Sequence, residues 1–301
     1  MERNHLKENL NKCSRCALCA EVCPVFDIKK SEVVLTRGKF TQLLGVLKKD
    51  LKFSKKIKKN INLCLNCGKC REFCPSDINA VKIFAQFKND NLSFLDKILS
   101  SEFIFNLKML PINLFKRKFD EKEGEIHFFG CVSRYKNDFV CCAMPYLTKG
   151  RLDIYNKMMN KNIKIAKNPD IKKIIFHCAT CFDAFKNYDL PKNILDKLTF
   201  EPDFKIPNEK FTFHKPCHMS SEIFENIKNE LKKNENFVEL KENDCCGFGG
   251  DFFLKHPIIS YKLAKKRAKQ IESLKVKHVI TSCPVCSFGL FVGKIINKIG
   301  R

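Results

Sequence analysis

The chain has 301 residues, 44% of them hydrophobic, with eighteen cysteines and a formal net charge of +23. That much apolar material closes a core without a disulfide scaffold. The polar start MERNHLKENLNK has no apolar signal-peptide core and no run of eighteen apolar residues occurs, so the expected location is the cytoplasm, where thiols stay reduced and crowd to bind metal.

The first element is CSRCALCAEVCP (13–24), and its pattern returns as CLNCGKCREFCP (64–75). Both read C-x2-C-x2-C-x3-C-P. Three thiolates on a tight loop reach three corners of an iron–sulfur cube, and in two-cluster ferredoxins the fourth cysteine of such a run serves the other cube. The spacing therefore assigns one [4Fe–4S] cluster to Cys13, Cys16, Cys19 and Cys74, and a second to Cys64, Cys67, Cys70 and Cys23. Structural zinc fits poorly, because a tetrahedral ion usually draws on two separated C-x2-C pairs. The proline suits the turn after the last ligand, since it fixes its own φ and donates no N–H.

Between the runs, 36–60 carries apolar residues at helical spacing, which predicts a helical ferredoxin-like domain over 1–90. An amphipathic, basic segment follows over 91–123, with Pro111 interrupting it. A peripheral contact on the inner membrane face is its functional reading; packing against its own protein is the blander one and is favoured.

From residue 124 the chain repeats itself. IHFFGC (126–131) has its counterpart in FTFHKPC (211–217), Cys141-Cys142 in Cys245-Cys246, and IIFHCATC (174–181) in VITSCPVC (279–286). The apolar runs read as buried parallel strands, with lysine-rich helices such as 257–275 between them. The predicted fold is thus α+β / α/β: a helical two-cluster domain, then a duplicated α/β domain split at 124–205 and 206–301. A strand ending in a cysteine puts its ligand at the carboxyl edge of a sheet, where such folds bind ligands. Eight cysteines lie in the short runs and five in each copy, which leaves none over.

With HKPCH (214–218), CCGFGG (245–250) and CPVC (283–286) in place, the chain resembles the cysteine-rich CCG-domain iron–sulfur oxidoreductases. These include the glycolate oxidase iron–sulfur subunit, the anaerobic glycerol-3-phosphate dehydrogenase C subunit, lactate-utilisation proteins and heterodisulfide reductase subunits. The resemblance implies a non-cubane cluster on Cys217, Cys245, Cys246, Cys283 and Cys286, with Gly247, Gly249 and Gly250 giving the backbone room to approach it. For the first copy it implies the set Cys131, Cys141, Cys142, Cys178 and Cys181. That copy departs from the pattern: nine residues separate Cys131 from Cys141, against twenty-seven between Cys217 and Cys245, and Ala143 replaces the glycine. The second copy is therefore expected to be the working site and the first a weaker one. His214 and His218 flank Cys217, where each would tune a cluster or serve the local turn; for His177 a hydrogen bond in the turn is expected.

The resemblance implies an electron-transfer subunit. An FAD-dependent dehydrogenase partner would oxidise a 2-hydroxy acid such as glycolate or lactate, and electrons would pass to a quinone or another acceptor. Two [4Fe–4S] clusters and one or two CCG clusters are the expected cofactors. No Rossmann or P-loop glycine fingerprint occurs, so no flavin or NAD is expected on this chain. A heterodisulfide reductase-like site that cleaves a disulfide is the alternative. Nucleic acid is not an expected partner: the positive charge comes with no RNP, helix-turn-helix or zinc-finger pattern, and lysine-rich composition beside abundant Asn, Ile and Phe fits codon bias.

Overall fold

A computed structural model describes residues 3–107, 122–131, 141–242 and 244–299. The N-terminal part is helical. Its core joins Leu6 and Leu10 of the first helix, Arg3–Asn11, to Phe40 and Leu43 of Thr36–Leu47, Ile57 and Ile61 of Lys55–Asn62, and Phe84 of Ala80–Asp90. Phe40 meets Phe84 edge-on, with ring centroids 5.7 Å apart; full burial of such a side chain contributes about 1.5–3 kcal/mol. The helix starts are written locally. Ser54 and Asn79 accept from backbone N–H groups as N-caps, and Pro24 opens the helix Pro24–Lys29 directly after Cys23. Pro75 instead lies in a turn closed by Asp77 N–H donating to the Cys74 carbonyl, so the two prolines play different parts.

The duplicated half forms two parallel sheets. In the first copy, β1 (Glu125–Phe128) pairs with β2 (Lys173–Phe176), which pairs with β3 (Leu198–Phe200). In the second, β4 (Phe211–Phe213) pairs with β5 (His278–Ile280). The registers Phe128↔Phe176 and Phe213↔Ile280 send the segments leading to each first cysteine and to its C-x2-C pair out of the same carboxyl edge. The crossover helices are Leu152–Ala166 in the first copy and Pro257–Ser273 in the second.

The intervening segment packs on its own protein only in part. Phe105 tilts onto Tyr146, and Arg151 donates to the Lys97 carbonyl, yet Phe94 and Phe103 remain 80% and 74% exposed. The rest of that segment, 108–121, lies outside the described residues. Among the described residues no helix is long and apolar enough to cross a membrane.

The N-terminal part touches both copies. Lys82 Nζ donates to the Asn187 carbonyl at 2.7 Å and Lys88 Nζ to the Thr148 carbonyl at 2.8 Å in the first copy. Toward the second, Asp27 pairs with Lys266 at 2.6 Å, and Val25, Val34, Leu63 and Leu65 share a core with Phe252, Ile259 and Leu263.

Candidate metal centres

None of the eighteen cysteines is joined in a disulfide. The two short runs share one backbone path. Arg15 and Asn66 have φ of 60° and 54°, and Ala17 and Gly68 have 71° and 74°, so both residues around each second cysteine turn left-handed. Such alternation turns successive N–H groups inward and makes a concavity suited to an anionic group. Asn66 N–H already points at the Cys64 thiol, 3.4 Å away.

Cys23 stands with the distant run, not its own. Burial pushes its thiol up to about 11, and Cys67 and Cys64 are the neighbouring thiols that add to the shift, with the Lys39 ammonium opposing it. Cys70, pushed up to about 12 by burial, feels Cys67, Cys64 and Cys23. Cys16 and Cys19 face Arg37 instead, while Cys23 and Cys67 pack on one core. This arrangement supports the exchanged fourth ligand. Cys23→Ser should accordingly remove most of the cluster at Cys64, Cys67 and Cys70 and spare its neighbour in sequence. Selective loss of the cluster at Cys13, Cys16 and Cys19, read from the reduced-state spectra, would refute the exchange.

In the duplicated half, the thiols form a continuous line. Cys67 of the second short run contacts Cys217, which contacts Cys245, itself against Cys246. Cys246 lies 3.5 Å from Cys286, which neighbours Cys283. Cys283 then touches Cys178 of the first copy, and the line runs on through Cys181, Cys142 and Cys141 to Cys131, the last two 3.7 Å apart. Backbone contacts hold the two C-x2-C loops together: Ala179 N–H donates to the Ser282 carbonyl at 3.1 Å, and the Thr180 hydroxyl lies 3.7 Å from the Cys283 thiol. Sequence repeats reveal two copies; they do not reveal that the copies share an edge.

Two expectations change. Ala143, fully buried, has φ 61°, the same left-handed turn as Gly247 at 81°. Alanine thus reproduces the glycine turn, and the first copy keeps all five thiols at one place. The Cys131–Cys141 span itself falls on 132–140, outside the described residues. Gly247 and Gly249 also make room for protein: a Cβ would meet the Ser260 carbonyl at 2.6 Å and the Leu65 carbonyl at 2.6 Å, whereas at Gly250 it would stand in ordinary contact with Thr148 Oγ1 at 3.4 Å. Two other elements thereby approach the cysteine loop.

The histidines divide. His177 serves its turn, bonding the Glu201 carbonyl through Nδ1 and His127 through Nε2 at 2.9 Å, and stacking on Phe129. Burial works against a charge on His218, but Asp183 of the first copy, 2.8 Å away, outweighs it and raises its pKa. His214 accepts from Arg267 Nε at 3.0 Å. Sequence reading passed over Arg267 amid lysines. The signal was present, because Leu263, Ala264, Arg267, Ala268 and Ile271 make one buried helical stripe.

The donor set fits iron–sulfur clusters. Each copy converges five thiols, soft ligands that favour iron and zinc over hard cations, and a thiol carries N–H···S support from Gly247 N at 3.3 Å. A cavity of about 430 Å³ opens where the modules meet, lined among others by Cys67, Cys217, His218, Asp183, Tyr155 and Arg71.

The 4Fe-4S dicluster domain family matches residues 9–78, and the cysteine-rich (CCG) domain family matches 127–186 and again 211–291. The chain is similar to the B subunit of the fumarate reductase (CoM/CoB) of Methanothermobacter marburgensis, at 27% identity over 93% of this chain and 67% of that protein. It is similar at 23% to the D subunit of the dihydromethanophenazine:CoB–CoM heterodisulfide reductase of Methanosarcina acetivorans, over 95% and 89% of the two chains. Lactate utilization protein A of Oceanobacillus iheyensis is 24% identical over 50% of this chain and 72% of its own. No solved structure matches.

Proposed function

Because the chain belongs to the CCG-domain iron–sulfur oxidoreductases, as an electron-transfer subunit, we propose that its two CCG copies act together as one terminal site for a thiol–disulfide couple. The single observation that carries this is the junction of the two C-x2-C loops, where Ala179 N–H donates to the Ser282 carbonyl at 3.1 Å and the Thr180 hydroxyl lies 3.7 Å from the Cys283 thiol, so that the two five-thiol sets meet at one edge. Cys13, Cys16, Cys19 and Cys74 would hold one cubane, Cys64, Cys67, Cys70 and Cys23 the other, and the remaining ten cysteines the two CCG clusters. Bound there, the clusters supply one-electron redox chemistry.

The protein's own part is placement. The Cys67–Cys217 contact sets the cubane domain against the second copy, and the helix Pro257–Ser273 buries that junction. The adjoining cavity is of small-molecule size and offers Arg71 and the His218–Asp183 pair to a polar ligand. The overall reaction adds two electrons and two protons to a disulfide and releases two thiols, the electrons coming from a partner oxidoreductase subunit. Relatives named for a CoB–CoM heterodisulfide and for CoM/CoB-linked fumarate reduction cover nearly the whole chain, which supports the reading.

A second reading keeps an FAD-dependent 2-hydroxy-acid dehydrogenase, of glycolate or lactate type, as the partner and a quinone as acceptor. The lactate utilization relatives favour it over half the chain. Anaerobic protein reduced with a viologen separates the two. Mixed with an asymmetric alkyl disulfide, it should release two thiols for each pair of electrons consumed. Rapid reoxidation by a quinone analogue with the disulfide left intact would transfer the assignment to the second reading.

A further inference from the structure

The imidazole of His214 is fully buried, and one of its ring nitrogens lies within 4.8 Å of the thiols of Cys246 and Cys286. Such a triad resembles a metal site, but its hydrogen bonding argues otherwise. Arg267, 1% exposed, directs Nε at His214 Nδ1, 3.0 Å away. A guanidinium only donates, so Nδ1 must accept and the imidazole proton must sit on Nε2. A nitrogen that carries a proton has no lone pair for iron. Nε2 is buried with no partner among the described residues, a costly state for a donor unless the group held by the cysteines accepts from it.

We propose that His214, fixed by Arg267 with its proton on Nε2, donates a hydrogen bond to sulfur of the cluster in the second copy and sets its reduction potential above that of the first. The inference rests on the reading that the second copy holds a cluster. Reduction puts negative charge on sulfur, and a fixed donor stabilises that charge.

Among the described residues of the first copy, the matching positions hold no such pair. Counted from the leading cysteine, Phe128 stands where His214 does; counted from the strand end, Phe129 does. Arg267 and Asn162 each lie sixteen residues before the first cysteine of their C-x2-C pair. Asn162 spends its amide on the Cys141 carbonyl at 3.2 Å. At these matching positions the second copy offers an N–H donor and the first does not. Electrons arriving at the pair would settle first on the second copy.

The test is a spectroscopic redox titration of the complete, iron-loaded protein. His214→Phe should keep the iron and sulfide content and lower the midpoint of the second-copy cluster by a tenfold change in its equilibrium, about 59 mV for one electron. His214→Gln, which retains an N–H, should recover at least half of that shift. An exchangeable proton coupled to the reduced cluster should be present in the wild type and absent in His214→Phe. An unchanged midpoint would overturn the proposal, as would loss of that cluster's iron in both variants with the cubanes intact, the signature of a ligand. Should His214→Phe fail to fold, wild-type protein labelled with ¹⁵N-histidine decides: weak nitrogen coupling supports a hydrogen bond, and coupling of a directly bound nitrogen refutes it. Wild-type protein with iron for the two cubanes alone would instead overturn the underlying cluster reading, and the iron count tells the two failures apart.

Discussion

Replacing Cys245 and Cys246 together by serine is expected to abolish electron delivery to the terminal acceptor, at least a hundredfold, while both cubanes remain reducible by a low-potential donor. The order of thiol contacts gives the reason. Cys67 meets Cys217, Cys217 meets Cys245, and only beyond Cys246 and Cys283 does the line reach the first copy. A hydroxyl is a harder, weaker ligand than a thiolate for iron–sulfur chemistry, so the second copy would lose its cluster and the line would break next to the cubanes. The serines also bury two hydroxyls among apolar neighbours, a cost of about 1–3 kcal/mol each if unpaired. The pair Cys141→Ser and Cys142→Ser should behave differently: the second-copy cluster is still reduced, yet disulfide turnover fails, because the composite edge has lost one side. Full turnover by that variant would show the first copy to be a shortened remnant, and loss of second-copy reduction would mean the order of sites is reversed.

The dicluster domain was legible because its chemistry demands close spacing. C-x2-C-x2-C-x3-C-P is a local geometric statement, and a repeated run states it twice. The parallel strands were legible for the same kind of reason, as short apolar runs ending in cysteine. What stayed hidden depends on residues far apart in sequence. The Ala179–Ser282 hydrogen bond and the Cys178–Cys283 contact join segments about a hundred residues apart, and no periodicity encodes them. Ala143 misled because glycine is the usual left-handed residue, but a fully buried turn over-determines the backbone and alanine tolerates it at modest cost. The glycines of 247–250 were read as space for a cofactor; Gly247 and Gly249 also face the Ser260 and Leu65 carbonyls, partners that only the tertiary packing brings there. Arg267 was hidden by composition, one guanidinium in a lysine-rich helix whose buried stripe alone sets it apart.

Gly249→Ala and Gly68→Ala should have opposite consequences, although each adds one methyl group near the cubane loop. Gly68 has φ +74° and open space where a Cβ would stand. Ala17 already holds that conformation at the matching place in the other loop, with φ 71°. Gly68→Ala should therefore cost about 1 kcal/mol of backbone strain and leave electron transfer near the wild-type rate. Gly249 has no unusual φ, so strain is not its difficulty. Its Cβ would stand 2.6 Å from the Leu65 carbonyl, and a backbone atom between Cys64 and Cys67 cannot swing aside as a side chain does. Either the cubane loop or the cysteine loop at 245–250 must retreat, at about 1–3 kcal/mol for an overpacked site. The retreat opens the contact between Cys67 and Cys217, the one place where thiols of the two domains touch among the described residues. Rapid-freeze spectroscopy after reduction should then find the cubanes reduced on the usual time scale and the second-copy cluster lagging by tenfold or more in Gly249→Ala alone. Equal rates in the two variants would mean that the loop carrying Leu65 does not set the junction between the domains.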